Sequence, residues 1–161
     1  MLCPGSRSGP LATAAGLLAR RSPLGLVTAT DERSAAFLAL GMATSSGRAV
    51  AVVTTSGSAV ANLLPAAVEA DRSCQPLLLL SADRPARLKH CGANQTVNQE
   101  VFLQPVCRWL GSGPAQGLHT AELDALDRLA ASSWRQAQGK AGNAPGPIHL
   151  NLPFDEPLHA S

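Results

Sequence analysis

Two runs in this sequence, residues 49–54 (Ala-Val-Ala-Val-Val-Thr) and 76–81 (Pro-Leu-Leu-Leu-Leu-Ser), are apolar almost without interruption and only strand-length. A strand with one wet face alternates apolar and polar residues. An unbroken run suits a strand covered on both faces, as in a parallel sheet between two layers of helices. The first run is followed by a polar turn and then an alanine-rich stretch of helical length. Further strands are expected at 24–29, 106–110 and 147–152, and residues 2–3 read as the end of a strand whose beginning is missing. Helices are expected from about Pro10 to Arg20, at 34–44, at 59–70 with Pro65 as a kink, and at 120–138. A shorter one is expected at 95–103. Strand and helix alternating at this spacing predict one α/β domain over residues 1–161. It is a doubly wound, mostly parallel sheet with helices on both faces, truncated at its N-terminus.

Local signals support these boundaries. Ser8 and Pro10 carry helix-start chemistry, Arg20 and Arg21 suit a helix C-terminus, and Ser22-Pro23 breaks the run. Residues 45–47 (Ser-Ser-Gly) end the second helix. Leu123, Leu126, Ala130 and Trp134 form the expected inward stripe of the last helix.

With 161 residues, 45% hydrophobic and 15% charged, the chain can bury a core. Aromatics are 3% and Tyr is absent, so that core must be Leu, Val and Ala. A net charge of +2 with no basic cluster interleaved with aromatics excludes a nucleic-acid binder. No apolar run approaches the roughly 20 residues of a membrane span. Cys3, Cys74, Cys91 and Cys107 form no Cys-x-x-Cys pair, which argues against zinc and disulfides and for reduced thiols in the cytoplasm. His90, His119, His149 and His159 are scattered and read as surface or hydrogen-bonded packing residues, so no metal site is expected. Residues 1–30 hold arginines, serines and no acid, as transit peptides do. Their strand-end, turn and helix pattern continues downstream and favours a folded segment instead.

Four polar turns, Ser6-Arg7, Asp31-Glu32-Arg33, Thr55-Ser56-Gly57-Ser58 and Asp83-Arg84, each follow a strand. Parallel strands bring all four to one carboxyl edge, where open α/β sheets bind ligands. Singly, each has a plainer explanation: a helix start, acids favoured near a helix N-terminus, a small-residue turn, a loop ion pair. Together they suit a polar site that binds anions and carries a working carboxylate. The Thr55 turn lacks a Walker lysine and a dinucleotide glycine fingerprint, which lowers the case for a nucleotide.

Those turns, together with residues 59–62 (Ala-Val-Ala-Asn), Pro85, residues 91–95 (Cys-Gly-Ala-Asn-Gln) and 148–154 (Ile-His-Leu-Asn-Leu-Pro-Phe), occur in an order that closely resembles one enzyme family. It is the N-terminal, pyrimidine-binding domain of the 2-succinyl-5-enolpyruvyl-6-hydroxy-3-cyclohexene-1-carboxylate synthases, thiamine diphosphate enzymes of menaquinone and phylloquinone biosynthesis. The resemblance implies decarboxylation of 2-oxoglutarate and addition of the succinyl unit to isochorismate, with the cofactor carrying the hard chemistry. It implies that Glu32 hydrogen-bonds the cofactor's pyrimidine ring as the catalytic carboxylate. Ser6, Arg7, Arg84, Asn94 and Gln95 then lie on the substrate side. Thr55, Ser58, Asn62 and again Gln95 line the cofactor pocket.

The chain also departs from that family. It has no Gly-Asp-Gly motif, the element that in the family holds Mg2+ and the cofactor's diphosphate in a separate domain. The resemblance therefore implies an inactive fragment whose site needs the diphosphate-binding domain of a second subunit in a homo-oligomer. An acetolactate synthase-like enzyme is disfavoured by Ser58-Ala59, where those relatives usually have Pro-Gly. A non-catalytic anion-binding module is disfavoured by Glu32, a carboxylate it would not need.

Overall fold

The computed structural model describes residues 1–140 and 142–158; His159 lies outside them. Helix α1 (Gly9–Arg21) and helix α2 (Glu32–Ser46) precede strand β1 (Val50–Thr54). Short helix α3 (Ser58–Ala61), helix α4 (Leu64–Arg72) and strand β2 (Leu77–Asp83) follow. Strand β3 (Trp109–Ser112), helix α5 (Leu123–Ala137) and strand β4 (Pro147–Pro153) complete the order. The four strands pair in parallel in the order β1-β2-β4-β3. Leu2 extends the sheet beyond β1 by bridging Val53 on one side and Thr28 on the other.

Each crossover places its helix on one face. Side chains of α2, α3 and α4 join Val52, Leu77 and Leu79 in one core. Leu11 of α1 and Leu129 and Ala137 of α5 join Leu78, Ile148, Leu150 and Leu152 in the other. The sheet is therefore doubly wound, as the uninterrupted apolar runs require. Ala35, Ala36, Ala39 and Ala43 form the buried stripe of α2, and Ala66, Ala67 and Ala70 that of α4. These stripes present methyl-sized side chains to the core, with the half-buried Leu40 and Leu64 packed beside them. Most of the stabilisation from burial comes instead from the bulkier Leu63, Leu77, Leu79, Leu103 and Ile148, all fully buried, at about 1.5–3 kcal/mol for each side chain removed from water.

Several local expectations need correction. Residues 24–29 do not form a strand. They pair only around Thr28, with Leu2 as the neighbour, and lie mostly exposed. No helix spans 95–103; Gln95, at φ +54°, is left-handed and residues 96–98 are irregular. A single 3-10 turn at Gln99–Val101 replaces it. The strand expected at 106–110 begins at Trp109 and runs through Gly111, which reads as a loop signal in sequence. A Cβ on Gly111 would come within 2.2 Å of the Trp109 ring, so the glycine is there to admit that ring. Of the stripe expected on α5, Leu126 is half-buried, but Leu123 (78% exposed) and Trp134 (41%) face solvent, and so does Ala130. Leu129, Ser133 and Ala137 are the residues that face the sheet, one position round the helix. Ser8 stands at the N-cap of α1, but its hydroxyl donates to the Gly5 carbonyl at 3.0 Å instead of capping. Pro65 falls in the first turn of α4, and the helix expected at 59–70 splits into two there.

Candidate active site

The chain enters the sheet at residues 1–3, crosses through α1 to Thr28 on one side, and returns through α2 to β1 on the other. Strand order reverses between residues 1–3 and β1, and such switch points open a crevice at the carboxyl edge. The loop of residues 4–8 and the turn of residues 55–58 are the two lips of that crevice. They touch: a Cβ on Gly5 would come within 2.4 Å of the Thr55 Cβ, so only glycine allows this approach.

A cleft of about 420 Å³ opens here, lined by Ser6, Arg7, Thr55, Ser56, Arg84, Asn94, Gln95 and Glu156, among others. It gathers all five residues expected on the substrate side. Arg84 Nη1 donates to Ser56 Oγ at 2.7 Å and to the Gln95 carbonyl at 3.0 Å. Gln95 Nε2 donates to the Ser56 carbonyl at 2.7 Å. Gly57, at φ +79°, lets Gln95 lie against the turn, because a Cβ there would meet Gln95 Cγ at 2.6 Å. Arg7 is buried and donates to the Phe154 carbonyl at 2.9 Å. Burial lowers the pKa of Arg84, the charge of Arg7 lowers it further, and Asp83 and Glu156 oppose both.

Glu32, Ser58 and Asn62 do not line this cleft. Asp31 caps α2, its carboxylate accepting from the Ser34 N–H at 2.7 Å. Glu32 begins the helix, half-buried, and accepts from Asn62 Nδ2 at 3.1 Å. Buried Cys3 lies near enough to feel it. Burial first, and then the Glu32 charge, push the Cys3 thiol up to about 11, against the opposing terminal amine. Ser58 and Asn62 are exposed. A carboxylate beside a primary amide offers the donor and acceptor pairing that a nitrogen heteroaromatic ring takes, so this side of the edge fits a pyrimidine. Among the described residues no group of three His, Cys, Asp or Glu side chains is placed to hold a metal ion.

Beneath the cleft lies a buried polar layer that sequence reasoning missed. Along one face of β2, Leu77 and Leu79 give way to Ser81 and Asp83, all fully buried. His149 and Asn151 oppose them on β4. Gln99, also fully buried, accepts from the Gly57 N–H at 2.8 Å. Its amide nitrogen donates to the Ala82 carbonyl at 3.0 Å and to Asn151 Oδ1 at 2.8 Å. Asn151 Nδ2 donates to Asp83 Oδ2 at 2.8 Å, and Asp83 pairs with Lys89 at 3.0 Å. Burial works against the Lys89 ammonium, but Glu100 and Asp83 outweigh it and raise the pKa. Burial drives His149 down to about 4, so it is neutral at pH 7. Ser81 donates to Asn151 Oδ1, which leaves His149 Nε2–H, 2.7 Å away, to donate to Ser81 Oγ. His149 is therefore the hydrogen-bonded packing residue expected of it. The signal for this layer was polar residues at every second position inside doubly covered strands. For Gln99, on a turn, there was none.

Residues 2–104 match the family described as thiamine pyrophosphate enzyme, N-terminal TPP binding domain. The 2-succinyl-5-enolpyruvyl-6-hydroxy-3-cyclohexene-1-carboxylate synthase of Synechococcus sp. (strain CC9605) is 73% identical over 161 residues, 100% of this chain and 29% of that protein. The synthase of Parasynechococcus marenigrum (strain WH8102) shows the same identity and coverage. That of Prochlorococcus marinus (strain NATL1A) is 60% identical over 159 residues, 99% of this chain and 26% of that protein. The chain thus spans less than a third of the length of these relatives. Over most of its length, and with the doubly wound sheet that such a domain requires, the chain belongs to the thiamine pyrophosphate enzymes through their N-terminal TPP-binding domain.

Proposed function

We propose that residues 1–161 are the pyrimidine-binding domain of a synthase that decarboxylates 2-oxoglutarate and joins the succinyl unit to isochorismate, in the cytoplasm. The observation that carries this reading is the single cleft holding Ser6, Arg7, Arg84, Asn94 and Gln95 at the switch point, with Glu32 at a neighbouring helix start. The identity to synthases of that name supports it. Arg7 and Arg84 bind the carboxylates of isochorismate, with Ser6, Asn94 and Gln95 as polar partners. Glu32 holds a proton against the pyrimidine ring, and Asn62 orients its carboxylate. Thr55, Ser58 and Gln95 border the ring. Bound thiamine diphosphate supplies the stabilisation of negative charge at a former keto carbon. Mg2+ and the diphosphate are held outside this chain, by the diphosphate-binding domain of a second subunit in a homo-oligomer. The exposed Phe37, Leu38 and Met42 on α2, the helix that Glu32 begins, support a partner on that side.

The test is a chimera in which residues 1–161 replace the matching segment of the strain CC9605 synthase. Turnover of 2-oxoglutarate with isochorismate near the parent's rate is expected from the chimera, and none from the isolated chain. An inactive, folded chimera, or turnover by the 161-residue chain alone, overturns the reading.

A further inference from the structure

The two arginines of the cleft are held in opposite ways. Arg84 pairs with no carboxylate among the described residues; Ser56 and Gln95 take one of its nitrogens and the rest of its fork is unbonded. Arg7 is latched. Its Nη1 is on the Phe154 carbonyl and its Nη2 is 3.0 Å from Glu156 Oε1. The Nε–H, on the same edge of the guanidinium as Nη2, is sealed from solvent and has no hydrogen-bond partner among the described residues. That edge is built for two carboxylate oxygens and Glu156 gives it one. The Arg7 side chain is 10% exposed and the Glu156 side chain 60%. Glu156 sits on the segment just past β4 and can swing away without disturbing the core.

We infer that Glu156 is the cleft's built-in counter-ion. It neutralises Arg7 when no ligand is present and gives way to a ligand carboxylate that closes both donors of the Arg7 edge. It thereby selects for dicarboxylates: one carboxylate goes to the open fork of Arg84, the other displaces Glu156 from Arg7. The balance of charge agrees. Without an anion, two guanidiniums in one cleft repel, and Glu156 eases that repulsion at Arg84 as well. With a dianion bound, a third carboxylate is surplus and its repulsion opposes binding. The Glu156 end of the pair is the exposed one, so Glu156 can leave into water as the ligand carboxylate takes its place on Arg7.

The inference deepens the proposed function, since isochorismate is a dicarboxylate, but its test does not depend on catalysis. Succinate is titrated into the 161-residue chain and its Glu156→Gln variant, followed by the shift of the Arg side-chain resonances. Succinate is expected to bind Glu156→Gln about fivefold tighter, the loss of one competing, half-exposed ion pair, with the variant still folded by its urea transition. Unchanged or weaker binding would make Glu156 a mere support for Arg7 and overturn the inference, as would absence of succinate binding to either protein. In the chimera, the same variant is expected to lower the KM for isochorismate and leave kcat unaltered. Tighter succinate binding by the chain beside an inactive chimera would keep the counter-ion and discard the synthase.

Discussion

The two halves of the carboxyl edge are finished to different degrees. On the Arg84 side the turn at Ser56-Gly57 is braced: it is held from above by Arg84 and Gln95 and from below by Gln99. On the Glu32 side the carboxylate has one amide partner, and Ser58 and Asn62 stand in solvent. The braced half is a turn whose shape is fixed by bonds within this chain. The open half is a carboxylate presented on a helix start with one amide partner. The contrast implies that binding and stability are coupled on one side and separable on the other.

The largest effect should break that contrast if it is wrong. In the chimera, Glu32→Gln is expected to lower turnover on the order of 10²–10⁴-fold, the range for losing a positioned proton-holding group. The urea midpoint should stay put, because the Gln amide oxygen can still accept from Asn62. A variant that unfolds would show the open half to be structural after all. Next comes the floor of the braced half. His149 is buried neutral with its pKa at about 4, below its ordinary 6.5. The unfolded chain therefore binds one more proton between those values, and stability falls as pH drops from 6.5 towards 4. The slope is about 1.4 kcal/mol per pH unit and the total loss roughly 3 kcal/mol. Urea midpoints across that range should show the slope, and His149→Gln should flatten it. Gln99→Leu leaves the Gly57 N–H buried without its acceptor, at about 1–3 kcal/mol. Denaturation at pH 7 measures the cost, and succinate binding should weaken with it, since the turn carries Ser56. Smallest is Asp31→Ala, which removes the cap of α2 for about 1 kcal/mol by the same denaturation assay. It is expected to leave succinate binding unaltered, because the cap lies on the open side.

The sheet was legible because runs such as 49–54 and 76–81 admit few other fates, and the turns after β1 and β2 followed from the strands that end in them. Of the cleft's residues, Ser6, Arg7, Thr55 and Arg84 lie in the four expected polar turns, whereas Asn94 and Gln95 follow no strand and were expected only from the family resemblance. What eluded the sequence depends on contacts distant along the chain. Gln99 looks like any polar residue near a turn until Gly57, 42 positions away, needs an acceptor. Glu156 becomes interesting only once Arg7 lies 3.0 Å from it. Residues 24–29 have the composition of a strand, but pairing needs a neighbour, and Leu2 alone supplies it. On α5, apolar periodicity misjudged the inward face because Ser133 is buried there and Leu123 is not.

The change from Leu79 to Ser81 along one face of β2 has a consequence for how the chain finds its alignment. Sliding a strand by one residue turns its side chains to the wrong face, which any buried sheet forbids. Sliding it by two keeps the faces and usually goes unpunished. Here a two-residue slip would set Leu79 among Asn151 and Gln99 and push Ser81 away from both, stranding several buried polar atoms at once. The polar floor of the cleft thus fixes the register, penalising the near-miss that hydrophobic packing alone would accept.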